Sequence, residues 1–226
     1  MDLTQSSGKI QLIDADYLPY AYGNYLEEDI PQIVTFWFEK IFKRLNSRNA
    51  IIFLKRIPQD NFRYNIAVNR PYKGTRNRDL PISYNCIINF IITYYQGITV
   101  KFAETDDAIA MTAKMLRDKG IEYIIVSDDK DLNMIPGWHY KHTKDKLVYA
   151  SDEVVMESSM KVVDDIPVYS EVLEAYGQLK LWLQMILGDT SDNIEGIPNY
   201  GIAKIQNLGF VPGITVPIAK VLVWNL

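Results

Sequence analysis

Phe102-Ala103-Glu104-Thr105-Asp106-Asp107 and, one helix and one strand later, Ser127-Asp128-Asp129-Lys130-Asp131 decide how this chain is read. Between them Ile109, Thr112, Ala113 and Leu116 recur at helical spacing, Gly120 stops the helix, and Glu122 to Val126 is a short apolar strand. Two acid clusters therefore bracket one strand–helix–strand unit, at places where strands end. Surface charge normally mixes signs, and ligands of open α/β sheets bind outside the carboxyl ends of the strands. The pattern predicts a divalent-metal centre. Its bland rival is helix capping: Thr105 is placed to cap, and Asp106 and Asp107 suit the first turn of a helix dipole. Capping leaves Glu104 unexplained.

Working outward, Lys9-Ile10-Gln11-Leu12-Ile13 reads as a first buried strand ending in Asp14-Ala15-Asp16. Ile33, Phe36, Trp37, Ile41 and Leu45 predict an amphipathic helix over about 29–46, and Ala50 to Leu54 a second buried strand. From Lys55 to Arg78 come seven basic residues against Asp60 alone, interleaved with Phe62, Tyr64 and Tyr72. Basic side chains neutralise phosphates and aromatic faces stack on bases, so the segment reads as a nucleic-acid contact or as a solvated basic loop. Pro81 to Tyr95 predicts a helix and Ile98 to Phe102 a strand, while Trp138–His142 and Lys146–Tyr149 predict a hairpin. His139 and His142 fall on opposite faces of a strand, which argues against a histidine metal pair. Tyr169 to Leu187 reads as a long helix running into Gly188-Asp189-Thr190-Ser191-Asp192-Asn193. Beyond it, Gly196 and Gly201 suit a backbone that turns tightly and approaches something closely.

The composition bounds the answer. A chain of 226 residues with 48% hydrophobic and 23% charged residues builds one sizeable core, or one domain with a small appendage. No apolar run reaches the roughly 18 residues of a membrane span, and residues 1–9 are too polar for a signal peptide. A single cysteine, Cys86, suits a reducing cytoplasm, and the lack of a Cys/His cluster disfavours structural zinc. The net charge of −4 does not exclude a polyanionic partner: setting aside the eight acids that would bind metal raises the charge of the rest of the chain by eight, from −4 to +4.

In this order the pieces resemble the 5′-nuclease superfamily: phage 5′–3′ exonucleases, the 5′-nuclease domain of DNA polymerase I, and flap endonucleases. The resemblance covers roughly residues 10–206. Leu12-Ile13-Asp14 looks like the family's first-strand acid, Tyr72-Lys73-Gly74-Thr75-Arg76 its basic clamp, Glu104-Thr105-Asp106-Asp107 its Glu-x-Asp-Asp, and Asp129-Lys130-Asp131 its Asp-x-Asp. Gly188 to Ile194 is close to its Gly-Asp-x-x-Asp-Asn run, and Gly196 to Lys204 to its helix–three-turn–helix. Three departures stand out. Lys55-Arg56 occupies the place of another acid, with Asp60 offset from it. Asn199 stands where relatives prefer a glycine, with Lys204 one residue later than usual, and the sequence stops soon after this motif, where many relatives carry further helices.

What the resemblance implies is specific. The fold would be α/β, a central, mostly parallel twisted sheet with helices on both faces plus a helix–three-turn–helix. Residues 1–168 would form the nuclease core, with a basic clamp near 55–80, and 169–226 a helical DNA-binding part in one continuous unit. Asp14, Glu104, Asp106, Asp107, Asp129, Asp131, Asp189 and Asp192 would hold two Mg2+ or Mn2+ ions, with K+ at the helix–three-turn–helix. Asp16 and Asp128 would support them. Lys73 and Arg76 would meet the scissile phosphate, and Tyr72 would stack on a terminal base. Arg63, Arg70, Gly196, Gly201 and Lys204 would complete the DNA contacts. The partner would be DNA with 5′ ends, nicks or flaps, or an RNA–DNA hybrid, bound by a monomer away from membranes. A PIN-like ribonuclease and an inactive nucleic-acid binder of the same fold stand as alternatives. Unscreened by cations, so many carboxylates should titrate high.

Overall fold

The computed structural model describes residues 8–67, 71–73, 79–151, 154–163, 166–189 and 192–199. Two compact units divide the chain, residues 1–132 with 137–148 and residues 133–136 with 149–226.

The first unit is built on parallel strands. In chain order its elements are β1 (Ile10–Asp14), α1 (Leu18–Tyr22), α2 (Ile30–Leu45), β2 (Ala50–Leu54), a single turn α3 (Arg63–Ile66), α4 (Tyr84–Tyr95), β3 (Ile98–Thr99), α5 (Thr105–Asp118), β4 (Tyr123–Val126), β5 (Gly137–Lys141) and β6 (Lys146–Ala150). The sheet order is β3-β2-β1-β4-β5-β6. β1 pairs in parallel with β2 and β4, β2 with β3, and β4 with β5. Succession therefore runs one way from β1 to β3 and resumes on the other side at β4. The crevice at such a reversal, beyond the carboxyl ends of the strands, is where doubly wound sheets bind ligands. Asp14 closes β1 and Ser127 follows β4 at that crevice.

Side-chain alternation explains the layers. Ile13, Ile52, Leu54, Ile124 and Val126 join α2 and α4 residues such as Val34, Phe38, Ile41, Ile87 and Ile91 in one core. Leu12, Phe53 and Ile125, also buried, point to the opposite face, and α5 packs on β1, β2 and β4. The helix expected over 29–46 is α2. Asn46, in the left-handed region at φ 49°, caps it through its amide to the Lys43 and Phe42 carbonyls. The expected strand 98–102 is only two residues long, and the hairpin of β5 and β6 forms as expected.

The second unit departs from expectation. β7 (Val154–Val163) and β8 (Ile166–Ala175) pair antiparallel from Val154↔Ala175 to Val163↔Ile166, leaving two residues for the link. The helix predicted from Tyr169 begins only at Gly177: α6 spans Gly177–Leu187. Val162, Val163, Ile166, Val168 and Val172 are β-branched residues that favour a pleated surface. After α6, β9 (Gly188–Asp189) and β10 (Ile194–Glu195) form a small antiparallel clasp.

Among the described residues no helix is long and apolar enough to cross a membrane.

Candidate metal and nucleic-acid site

Acids gather at the carboxyl edge of the first sheet in two settings. At the β1–β4 crevice Ser127 is the joint: its hydroxyl donates to Asp14 Oδ2 at 3.0 Å and accepts the Asp129 amide at 3.0 Å. Asp14 Oδ1 accepts the Asp16 amide at 3.1 Å, and Asp129 Oδ1 accepts the Asp131 amide at 2.8 Å. Among the described residues neither Asp14 nor Asp129 forms a side-chain ion pair; the Lys141 ammonium rests on the Asp129 carbonyl oxygen at 3.0 Å. Loss of hydration pushes the Asp14 carboxyl up to about 7, helped by the charges of Asp16 and Asp129.

The second setting is the start of α5. Glu104, not Thr105, occupies the N-cap position, and Asp107 at the third helical position accepts the Glu104 amide at 2.9 Å. Capping thus accounts for Glu104, the residue it was expected to leave over. The freed Thr105 hydroxyl donates to Asp16 Oδ2 at 3.3 Å. The remaining carboxylate oxygens meet cations. Arg63 binds Asp107 through Nη1 at 2.5 Å and Nη2 at 2.7 Å, with Nη1 3.8 Å from Glu104 Oε2. Lys73 pairs with Glu104 Oε1, and the Tyr72 hydroxyl donates to Glu104 Oε2 at 2.6 Å. This two-pronged Arg63 grip holds the Asp107 carboxyl below its ordinary range. Asp106 lies between these pairs with no cationic partner among the described residues. Burial, then the charges of Glu104 and Asp107, push it up to about 7.

The basic segment therefore folds back on the acids. Arg63, expected on DNA, is held by Asp107. Lys73, at φ 51°, is brought to Glu104. Tyr72, expected to stack on a base, is 7% exposed, its ring 5.5 Å from that of Tyr64 and 5.0 Å from the Lys73 ammonium. Tyr64 is 43% exposed and lines a cleft of about 160 Å3 with Tyr20, Lys55, Lys73, Asp16 and Glu104. Arg70, Arg76, Gly201 and Lys204, and with them the expected potassium site, lie outside the described residues.

Sequence reasoning missed the roles of Lys55, Ser127 and His142. Lys55 is 3% exposed, its amide donating to Asp16 Oδ1 at 2.7 Å and its ammonium to the Asp60 and Ala103 carbonyls. Arg56 beside it is exposed. His142 Nε2 lies 2.7 Å from Asp128 Oδ2, and its ring stacks on Tyr17 at 5.0 Å. An apolar position followed by a polar one at a strand end was the available signal for Lys55 and Ser127; His142 follows Lys141 and offered none.

In the second unit Asp189 is buried and accepts Gln184 Nε2 at 3.1 Å, and Asp192 is partly buried. Gly196 approaches protein backbone: a Cβ there would fall 2.3 Å from the Leu187 carbonyl carbon, and one at Gly188 (φ 75°) 2.3 Å from the Gly196 nitrogen. Both glycines are required by the clasp itself.

The donor set is all oxygen, the chemistry of magnesium or manganese sites. Among the described residues no three acidic, histidine or cysteine side chains converge closely enough to hold an ion. What fits a cation is the charge: Asp14 and Asp106 are dehydrated carboxyls without an ion-pair partner among the described residues, linked through Asp16, Glu104 and Asp129.

No family model matches the chain. DNA polymerase I of Bacillus subtilis (strain 168) is 26% identical over 144 residues, 58% of this chain and 14% of that protein. DNA polymerase I of Bacillus caldotenax is 28% identical over 127 residues, 52% of this chain and 13% of that protein. Among solved structures, the bacteriophage T5 D15 flap endonuclease in a pseudo-enzyme–product complex with DNA and metal ions superposes with a TM-score of 0.62. It is 15% identical, covering 88% of this chain and 74% of that one. In sequence the chain is similar to the stretch these polymerases share with it, and its fold is that of the T5 flap endonuclease. Another neighbour of the same fold is the T5 5′-exonuclease with bound zinc, at a TM-score of 0.60 and 14% identity over 88% of this chain and 74% of that one. The matched stretch is about one seventh of the polymerases' length.

Proposed function

We propose that this protein is a divalent-metal-dependent 5′–3′ exonuclease and flap endonuclease acting on DNA near 5′ ends. One observation carries the reading. A chain of electrostatically coupled carboxylates, Asp129–Asp14–Asp16–Glu104–Asp106, lines the carboxyl edge of a sheet whose fold is that of a DNA-bound flap endonuclease. Phosphodiester hydrolysis gathers negative charge on the phosphate, and such acids are useful there only as ligands of cations. Asp14, Glu104, Asp106, Asp107, Asp129 and Asp131 would hold Mg2+ or Mn2+, with Asp189 and Asp192 contributing to a second ion. Held there, such ions would supply the charge that activates water and stabilises the leaving oxygen.

The chain's own residues do the rest. Ser127 fixes the Asp14 carboxylate against the Asp129 loop. Tyr72 and Lys73 orient Glu104. Lys73, released from Glu104 as the phosphate arrives, offsets charge on the non-bridging oxygens, and Arg76 is assigned the same role. Tyr64 offers an exposed aromatic face to a single strand. In this reading residues 1–168 carry the chemistry and 169–226 grip duplex, with potassium at the helix–three-turn–helix, and the protein acts as a monomer in the cytoplasm.

The test is one gel of 5′-labelled flap, nicked duplex, RNA–DNA hybrid and single-stranded RNA, each with magnesium and with EDTA. Short 5′ products from DNA, abolished by EDTA, are expected. Cleavage of RNA alone, or binding of DNA without cleavage in any metal, would overturn the proposal.

A further inference from the structure

Lys55 is a lysine where the local chemistry is otherwise acidic. It follows β2 directly, and the β1–β2 register sets it beside Asp16: Asp14 pairs with Phe53, the Ala15 amide donates to the Phe53 carbonyl at 2.9 Å, and the Lys55 amide to Asp16 at 2.7 Å. Its side chain is enclosed. The ammonium donates to the carbonyls of Asp60 and Ala103, and the Lys55 carbonyl accepts the Tyr84 hydroxyl at 3.1 Å. Burying an ammonium is costly unless its charge is matched, and here the direct partners are neutral carbonyls. The matching charge is the acid cluster around it: the Lys55 amide sits on Asp16 Oδ1 and the ammonium on the carbonyl one residue before Glu104. Ala103 immediately precedes Glu104, so the same ammonium ties down the chain leading into α5. The Phe62 amide, 2.9 Å from the Phe102 carbonyl, stitches that loop a second time.

Arg63 on Asp107 and Lys73 on Glu104 add two more cations at this end of the site. Of these, Lys73 is the one that leaves Glu104 in the mechanism proposed above. Lys55 is 3% exposed and its ammonium is held by two carbonyls of the fold.

Resting on the metal-dependent reading above, we infer that Lys55 is a fixed internal cation of the acidic site, a positioning residue that competes with divalent ions for the field of Asp16, Glu104 and Asp107. A divalent ion near these carboxylates feels the ammonium as a like charge, so this protein holds metal at the α5 end more weakly than the same acids would without Lys55.

The experiment titrates the full chain with Mn2+ in the absence of DNA, counting bound ions by electron paramagnetic resonance, with circular dichroism to check folding. Lys55→Gln keeps a donor for the two carbonyls and removes the charge; Lys55→Arg keeps the charge. Expected is tighter Mn2+ binding in Lys55→Gln, about tenfold, or one additional bound ion, with Lys55→Arg at wild-type affinity. Wild-type or weaker Mn2+ binding by a folded Lys55→Gln would overturn the inference. If Lys55→Gln fails to fold, Lys55→Arg decides alone: a folded Lys55→Arg must bind Mn2+ as wild type does, and any looser or tighter binding sinks the idea. A wild-type protein that binds no Mn2+ would remove the metal-dependent reading and this inference together. Metal-dependent cleavage with a Lys55-independent affinity would remove the inference only.

Discussion

The two ends of the acidic edge contain the same kind of residue and behave oppositely. At the start of α5, Asp107 and Glu104 are met by Arg63, Lys73 and Tyr72, and the Asp107 carboxyl is held low. At the β1–β4 crevice, Asp14 has a hydroxyl and an amide but no cation among the described residues, and its carboxyl is pushed up to about 7. At the α5 end Glu104 and Asp107 are compensated from within the chain and Asp106 is not; at the crevice Asp14 is not. An acid's role at this edge is therefore set by which basic segment folds back on it.

The sharpest way to break the comparison is to remove the uncompensated acid. Asp14→Asn should lower magnesium-dependent flap cleavage by about two to three orders of magnitude, the scale of losing a group that supports developing charge. In the metal-free protein at pH 8 the same change should raise the melting temperature, because a dehydrated charge has gone. Loss of activity with a lower melting temperature would instead mark Asp14 as structural.

Tyr64 and Tyr72 come next. Tyr64→Leu should weaken binding of single-stranded DNA by roughly 5- to 150-fold, the range for one stacked base, without altering the melting temperature. Tyr72→Phe should leave that binding intact and lower turnover, since it removes only the 2.6 Å hydrogen bond to Glu104. Fluorescence anisotropy of a labelled strand beside initial rates separates the two; the opposite pattern would return stacking to Tyr72.

At the compensated end, Arg63→Gln should cost about 1–3 kcal/mol in urea unfolding, the worth of a charge-assisted, partly buried pair. A smaller effect is expected in 0.5 M salt than in dilute buffer. An unchanged unfolding midpoint would show that Asp107 does not depend on Arg63.

The pH dependence has a definite sign. Folded Asp14 and Asp106 titrate near 7, against about 3.8 in an unfolded chain. Between these values the folded state binds more protons, so their stabilising contribution is complete below about pH 4 and is lost as pH rises through about 7. Asp107 and Asp128 are depressed, and lose their contribution only in stronger acid. The metal-free melting temperature should therefore fall by a few degrees between about pH 5 and 8. Millimolar magnesium should recover it at pH 8 more than at pH 5, and Asp129→Asn with Asp131→Asn should blunt that recovery. A flat profile would deny the contrast between the two ends.

Much of the first unit was legible in the sequence, because each parallel strand is a short apolar run ending at a polar break. Ala50 to Leu54 is the plainest case. Periodicity misled where pairing is long-range. Val172, Leu173 and Tyr176 fit a helical stripe, yet Val172 lies opposite Glu157 in β8, a partnership the local spacing does not encode. That the acids follow strand ends was legible, but their environments were not. Arg63 lies 44 positions from Asp107 and Tyr72 32 from Glu104, so a stretch read as DNA-facing is, at these residues, acid-facing. Glu104 was misread for a smaller reason: Thr105 is the better capping type, but the helix starts one residue too early to use it.

The clasp of Gly188 and Gly196 constrains substitution and insertion unequally. Any side chain at either glycine collides with backbone, whereas Ile194 between them is more than half exposed. A saturation library over 186–198 should therefore return two intolerant positions flanking a permissive interior, and should reject added residues there more strongly than replaced ones. The spacing of Asp189 and Asp192 would then persist through drift because a ring of backbone closes around it, whether or not selection acts on the acids themselves.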